Sequence, residues 1–320
     1  MTKRLDNSDI VEAGNFLERE LLITMPTTYQ RKYAPLWSTD PNYISISGIL
    51  DRHVGDIEAE IIEEVGKAGV YVDGSDDIPI VSTSITTEKF RINSFAVGIQ
   101  YSLFELDAQR VSGRNVQLRK QNAAMRALRQ REHESLVFGD SKYDYRGLLN
   151  DKNVPTIASS FDFNTATWKE MIDFFTEHLT AVEDTNNLTT GIGWIELTNK
   201  LHRKISTTYQ NGDSGVSVAE AIMKTYGVAN GGTLQGFKKI NEVRPDLLEE
   251  AKVHAAGSDL ERIVFLPVDV DAVDRLASIP MFLPPERKGA FYETIFILST
   301  TETMVHYPAS LRYVDVAKVN

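Results

Sequence analysis

A long acidic hairpin is the feature that most constrains what this chain can fold into. The residues from Ile57 to Ile92 predict two strands around a polar tip, in which Asp73-Gly74-Ser75-Asp76-Asp77 has turn composition and Pro79 marks an edge position. Few residues near the tip are large enough to build a core. Because a two-stranded hairpin is marginally stable in water by itself, we predict that this one lies on another surface.

Charge is segregated between the hairpin and the segment that follows it. The first strand carries Asp56, Glu58, Glu60, Glu63 and Glu64. The stretch from Ala108 to Arg131 contains no acid and carries Arg110, Arg114, Arg119, Lys120, Arg126, Arg129 and Arg131. The two blocks are complementary, and the whole chain has a net charge of -11, which argues against general affinity for nucleic acid.

A strand and a long helix connect these blocks to the rest of the chain. The stretch from Phe95 to Leu103 alternates apolar with small or polar residues, which predicts a half-buried strand. The cation-rich helix follows a break at Ser112-Gly113, and its apolar residues form two stripes that predict two packing partners. Its cations are spread around the helix, which favours a buried strut over a helix that reads DNA. The small residues Ala123, Ala124 and Ala127 would let one partner approach closely.

The remainder of the chain predicts a mixed domain of helices and strands. The long helix runs into Phe138-Gly139-Asp140 and a loop that closes on Gly147-Leu148-Leu149-Asn150. Beyond it the pattern predicts helices near Thr167 to Glu183 and Ser217 to Tyr226, with strands near Gly191 to Glu196 and Arg262 to Pro267. Residues 1 to about 50 show no long period and predict an extended arm.

Composition excludes several classes of site and location. The chain has no cysteine, so disulfides and thiolate metal sites are excluded and synthesis in a reducing cytoplasm is expected. The N-terminal residues lack the apolar core of a signal peptide, and no run of about 18 apolar residues occurs, so no membrane association is expected.

No motif predicts a catalytic, cofactor-binding or metal site. Asn211 to Ser217 contains the Gly-Asp-Ser-Gly of chymotrypsin-like proteases, but the all-β pattern and a histidine motif are missing, so we predict a turn with Ser217 capping a helix. Asp269, Asp271 and Asp274 predict the acidic first turn of a helix, not a cation loop. The six histidines have no ligand spacing, and no phosphate-binding loop occurs.

The order of these parts resembles a known family. "VGKAGVYVDGSDDIP", "RKQNAAMRALRQREHESLVFGD" and "RGLLNDKNVP" are similar to the major capsid proteins of tailed bacteriophages, whose Hong Kong 97-type fold is shared by encapsulin compartments. The resemblance covers residues 50 to 155 well. It implies an α+β fold with an N-terminal arm (1–50), an extended β-hairpin or E-loop (51–92), a peripheral domain with a long spine helix (93–155 and 285–320) and an α/β axial domain (156–284).

The resemblance also implies a function and a set of contacts. The chain would be a non-enzymatic building block of an icosahedral shell around double-stranded DNA; the alternatives are an encapsulin-like shell around protein cargo and, more remotely, a small-molecule enzyme. Its partners would be further copies of itself in pentamers and hexamers, a portal, and scaffold or decoration proteins, with non-specific DNA contact. The loop from Gly139 to Asn150 would join the two domains. The expected subunit-interface residues are Glu58, Glu60, Glu63, Lys67, Tyr71, Asp77, Pro79, Arg119, Arg126 and Arg129.

Overall fold

Two β-sheets organise the part of the chain that the structure describes. The computed structural model describes residues 36, 44–50, 55–65, 82–105, 116–185, 190–212, 214–267, 269 and 272–319. All of them belong to one unit, Leu36–Asn320. The predicted arm therefore lies mostly outside the described residues.

The larger sheet has eight strands and includes the hairpin. Its main order is β1-β10-β13-β3-β2, with β11 and β12 paired to β13 and β14 paired to β10. The strands are β1 (Ser45–Ile49), β2 (Asp56–Val65), β3 (Ser82–Ser102), β10 (Val273–Ala277), β11 (Met281–Phe282), β12 (Glu286–Lys288), β13 (Phe291–Thr301) and β14 (Met304–Val305).

The predicted alternation in β3 is confirmed, and it positions the long helix. The apolar residues of β3 at odd positions turn toward helix α1 (Val116–Phe138), where Ile99 and Tyr101 pack with Ala124 and Leu128. The helix has two packing partners: Ala124 and Leu128 bury against β3, and Leu136 and Val137 bury in a second core. Ala123 and Ala127 are exposed, so these two residues of a predicted stripe do not pack within the described part of the subunit.

The smaller sheet has five strands in the order β4-β15-β9-β5-β8. They are β4 (Thr156–Ala158), β5 (Ile192–Leu197), β8 (Gly236–Lys239), β9 (Leu260–Pro267) and β15 (Arg312–Ala317). One face carries helices α2 (Trp168–Thr185), α3 (Asn199–Thr207) and α4 (Val218–Tyr226). The other face packs on the end of α1 and on helix α5 (Pro245–Glu250). Strands β6 (Tyr209–Asn211) and β7 (Ser214–Ser217) form a separate pair.

Sequence periodicity explains the helices on this sheet. Helix α2 buries Met171, Phe174, Phe175, His178, Leu179 and Val182, a spacing of three and four residues that places one apolar face on the sheet. Ser217 caps α4 by accepting a hydrogen bond from the backbone N–H of Glu220 at 3.2 Å, as predicted. The predicted helices and strands from 167 to 267 are confirmed.

One local prediction differs from the structure, and the strand pairing crosses the predicted domain limits. Asp274 lies in β10 and not in a helix, and it contacts His306 at 2.8 Å across the pair β10–β14. The sheets also divide at other places than the predicted domain limits. Strands β10 and β11 belong to the larger sheet although 156–284 was assigned to the axial domain, and β15 belongs to the smaller sheet although 285–320 was assigned to the peripheral domain. These are long-range pairings that local patterns do not encode.

Candidate subunit interface and its anchor

The hairpin of β2 and the outer half of β3 is a ribbon with little cover from its own chain. β2 pairs in antiparallel fashion with residues 82–91 of β3. The side chains from Ser82 to Thr87 are exposed, and Ile85 retains 61% of its accessible surface. Because a two-stranded hairpin is marginally stable in water by itself, we expect this one to lie on another surface.

The structure places the predicted interface residues on different elements. Glu58 and Glu60 are exposed on β2, and Glu58 forms an ion pair with Lys89 of the same hairpin at 2.8 Å. Glu63 lies in β2, but its side chain is outside the described part. Four further predicted residues lie outside the described residues: Lys67, Tyr71, Asp77 and Pro79.

The three predicted arginines lie along α1 and differ in their surroundings. Arg119 is exposed and Arg126 is half-buried. Arg129 pairs with Glu132 of its own helix at 2.8 Å, so this cation already has an intramolecular partner. Glu132 is fully buried and also binds Arg275 of β10 at 2.6 Å, which ties the helix to the larger sheet. Burial lowers the pKa of Arg275, and the charge of Glu132 opposes that shift.

The loop after α1 is held by two glycines whose positions admit no side chain. Gly139 has a φ of 69°, and a Cβ there would overlap the carbonyl oxygen of Tyr145. A Cβ at Gly147 would overlap the backbone of Gly139. The Asn150 side chain closes the loop by donating to the Phe138 carbonyl at 2.6 Å and accepting from the Gly147 N–H at 2.7 Å. The residues of the "FGD…GLLN" stretch therefore form a tight backbone crossing.

Strand β3 changes its pairing partner at the base of the hairpin. Residues up to Arg91 pair with β2, and residues from Ile92 onward pair with β13. Glu302, which is 2% exposed, lies at this branch point. It donates its backbone N–H to the Arg91 carbonyl at 3.0 Å, and its carboxylate accepts from the Arg91 N–H at 3.1 Å.

Arg146 connects the branch point to the loop after α1. Its guanidinium donates to Glu88 at 2.6 Å and to Glu302 at 3.3 Å, and it lies 4.7 Å from the centre of the Phe90 ring. Its backbone N–H donates to the other oxygen of Glu302 at 2.8 Å. Burial lowers the pKa of Arg146, but the hydrogen bond that it donates to Glu88 and the charges of Glu302 and Glu88 outweigh burial and hold the pKa above its ordinary value. The hairpin base is thus anchored by charge-assisted hydrogen bonds.

This anchor was not predicted from the sequence. Arg146, Glu302 and Glu88 are far apart in the chain, and only the pairing of β3 with two different strands brings them together. The Tyr-and-Arg composition of the loop was the one available signal. It marked the position without indicating the partners.

The chemical motifs in the sequence form no reactive site in the described residues. Ser217 of the Gly-Asp-Ser-Gly stretch caps a helix, and Asp213 lies outside the described part. No group of three or more potential metal ligands was found among the described residues. In that same part of the chain, no helix combines the length and apolarity needed to span a bilayer.

Comparison with known proteins assigns the family. A family model for the major capsid protein matches residues 66–316. The chain belongs to the major capsid protein family. The match includes most of the described residues, and it confirms the predicted function as the major capsid protein of a phage shell and favours it over an encapsulin compartment. No curated protein sequence matches the chain.

Solved structures confirm the predicted Hong Kong 97-type fold. The capsid of the Myoviridae phage XM1 superposes with a TM-score of 0.70 at 12% identity, covering 93% of this chain and 97% of that one. The capsid of an empty GTA particle gives a TM-score of 0.61 at 11% identity, with 98% and 100% covered. Microbacterium phage Oxtober96 gives 0.60 at 11% identity, with 98% and 99% covered.

Proposed function

We propose that this major capsid protein closes into the icosahedral head of a tailed phage around double-stranded DNA, and that its hairpin lies on a neighbouring subunit. The observation that carries the proposal is the combination of an uncovered ribbon with a firmly bonded base. The outer side chains of β3 lack cover, whereas Glu302 and Arg146 fix the direction in which the ribbon leaves the sheet.

An anchored ribbon suits a contact that is repeated in every subunit. The base determines where the tip can reach, so less conformational freedom is lost when the ribbon docks. In a closed symmetric assembly each subunit contributes one hairpin and receives one, so the same contact is repeated at every equivalent interface. Glu58, Glu60 and Glu63 would face a neighbour's Arg119 or Arg126, with Lys67, Tyr71, Asp77 and Pro79 nearer the tip.

The remaining roles follow from this arrangement. The arm, E-loop, peripheral and axial parts would act as in other shells of this fold, with the loop from Gly139 to Asn150 as the joint between peripheral and axial parts. Pentamers and hexamers of the chain would meet a portal and scaffold or decoration proteins. The net charge of -11 fits only non-specific contact with packaged DNA. The role is structural and uses no cofactor; assembly would take place in the host bacterial cytoplasm and the product would reside in the virion.

Electron microscopy of the purified protein, with and without the hairpin tip, tests this function. The parent should form closed shells. Replacing residues 69–79 by Asn-Gly should leave circular dichroism unchanged while sedimentation shows monomers or small capsomers, because the sequence of the tip is polar, rich in turn residues and poor in core-sized residues. A parent that stays monomeric with a ligand in a cleft would refute the proposal, and particles from infected cells that hold protein cargo instead of DNA would favour the encapsulin alternative.

A point substitution sharpens the hairpin test. Ile85→Asp should prevent shell formation, because Ile85 is a large apolar side chain of the ribbon and remains 61% exposed. Ser84→Asp adds the same charge on the opposite face of the ribbon and is the matched control. Equal shell yields from both variants would show that this face does not contact a neighbour.

A further inference from the structure

The smaller sheet carries an acidic groove at one edge. The groove has a volume of about 830 Å³ and lies between β4, at the sheet edge, and helix α2. The exposed face of α2 contributes Glu170, Asp173 and Glu177, which we call the acidic groove residues. Their spacing of three and four residues spreads the carboxylates over about 10 Å of helix, wider than the coordination shell of one ion.

A buried histidine in the same groove lacks a hydrogen-bonding partner. His178 lines the groove and is only 5% exposed, and neither of its ring nitrogens has a partner among the described residues. Burial, followed by the charge of Arg312, lowers the pKa of His178 to about 4, so the ring is neutral and offers one donor and one acceptor. The wall of the groove thus contains a buried polar group without a hydrogen-bonding partner in the described part of the subunit.

The opposite edge of the same sheet is basic. Strand β8 forms that edge and carries Lys238 and Lys239. Lys239 is exposed, and the Lys238 ammonium lies 3.9 Å from the centre of the Trp194 ring. Helix α3 contacts β8 and adds Lys200 and Arg203 on its exposed face. We call these four side chains the basic edge.

The acidic groove and the basic edge lie toward opposite edges of the five-stranded sheet. β4 and β8 are the two terminal strands of the sheet, and in the helical layer α4 contacts both α2, next to the groove, and α3, next to β8. A subunit with complementary surfaces on opposite sides can bind copies of itself head to tail. Such contacts close into a ring when the rotation between copies fits.

We propose that the acidic groove binds the basic edge of the adjacent copy of this chain, so that the five-stranded sheets form a charge-paired ring within each capsomer. This proposal rests on the proposed shell function and names the surfaces that hold the ring together. The partner is a second copy because the same chain presents both complementary surfaces. The cations of β8 and α3 are spread along an edge, as the carboxylates are spread along α2.

Charge reversal tests the contact. Asp173→Lys with Glu177→Lys, or Arg203→Glu with Lys239→Glu, should each lower the yield of capsomers and shells by about tenfold or more, because like charges would then face each other. A chain that carries all four substitutions regains complementarity and should assemble to within about threefold of the parent yield. Circular dichroism should be unchanged in all three variants, since the four residues are exposed.

A mixture of the two reversed variants gives a sharper signature. One variant then has two basic surfaces and the other two acidic ones, so they can alternate around a ring. Alternation fits six positions but not five, because an odd ring forces one contact between like charges. The equimolar mixture should therefore restore hexamers and sheets or tubes, without the pentamers that closed shells need.

The control and the contradicting outcomes separate this proposal from the shell function. Glu250→Lys makes one such carboxylate-to-ammonium change at an exposed site of α5 and should assemble like the parent. If the parent forms shells and both reversed variants match it, the groove contact is wrong and the shell function stands. A folded fourfold variant that fails to assemble would also overturn the contact, whereas a parent without shells would overturn the proposed function itself.

Discussion

Glu196 should make the folded subunit lose stability as pH rises. This side chain lies in the interior strand β5, next to the edge strand β8, is fully buried, and neither carboxylate oxygen has a hydrogen-bonding partner among the described residues. Burial raises its pKa from 4.5 to about 8, the charge of Lys238 on the adjacent strand opposes that shift, and the charge of Glu242 adds to it. The carboxyl group is therefore protonated in the folded protein at neutral pH.

The sign and size of the effect follow from the difference between the folded and unfolded states. Between pH 4.5 and about 8 the folded state holds a proton that the unfolded state releases, so stability is highest below pH 4.5 and falls as pH rises toward 8. At pH 7 the loss relative to acidic conditions is about 3 kcal/mol. Glu196→Gln keeps the size of the side chain and removes the proton equilibrium.

Urea unfolding followed by tryptophan fluorescence, from pH 5 to pH 8, measures this effect. The free energy of unfolding of Glu196→Gln should match that of the parent within about 1 kcal/mol at pH 5 and exceed it by about 3 kcal/mol at pH 7. Comparing the two proteins at each pH cancels the contributions of groups that titrate in both. Glu261 is one of them, because burial raises its pKa to about 7. Glu250→Gln on the exposed surface is the control. A parallel pH dependence for parent and Glu196→Gln would refute the reasoning.

Three further predictions test the packing described above. In urea unfolding, Gly139→Ala should reduce the free energy of unfolding by about 3 kcal/mol or more. Gly212 also has a positive φ but has open space for a Cβ, so Gly212→Ala should reduce the free energy of unfolding by only about 1 kcal/mol. Glu132→Leu should destabilise by about 3 to 5 kcal/mol because it leaves Arg275 buried without its carboxylate, and adding Arg275→Met should recover most of that loss in thermal unfolding. Ser217→Ala should lose about 1 kcal/mol in the same assay, and no loss would mean that the cap is unimportant.

The sequence by itself determined the local elements. The alternation of β3, the apolar face of α2 and the cap at Ser217 are set by residues a few positions apart, and periodicity reports such spacings directly. The hairpin's polar composition likewise indicated that its partner lies outside its own strands. The motifs of the hairpin, the long helix and the loop after it were also sufficient to indicate the family.

Only the tertiary structure decided which strands share a sheet and which charges meet. The exchange of β10 and β15 between the predicted domains, the change of partner at Arg91 and the convergence of Arg146 with Glu302 all join residues far apart in the chain. One pattern of alternating residues is compatible with many partner strands, so the sequence does not specify the pairing locally. The separation of the acidic groove from the basic edge depends on the same tertiary arrangement, because β4, which lines the groove with α2, and β8, which carries Lys238 and Lys239, are the two terminal strands.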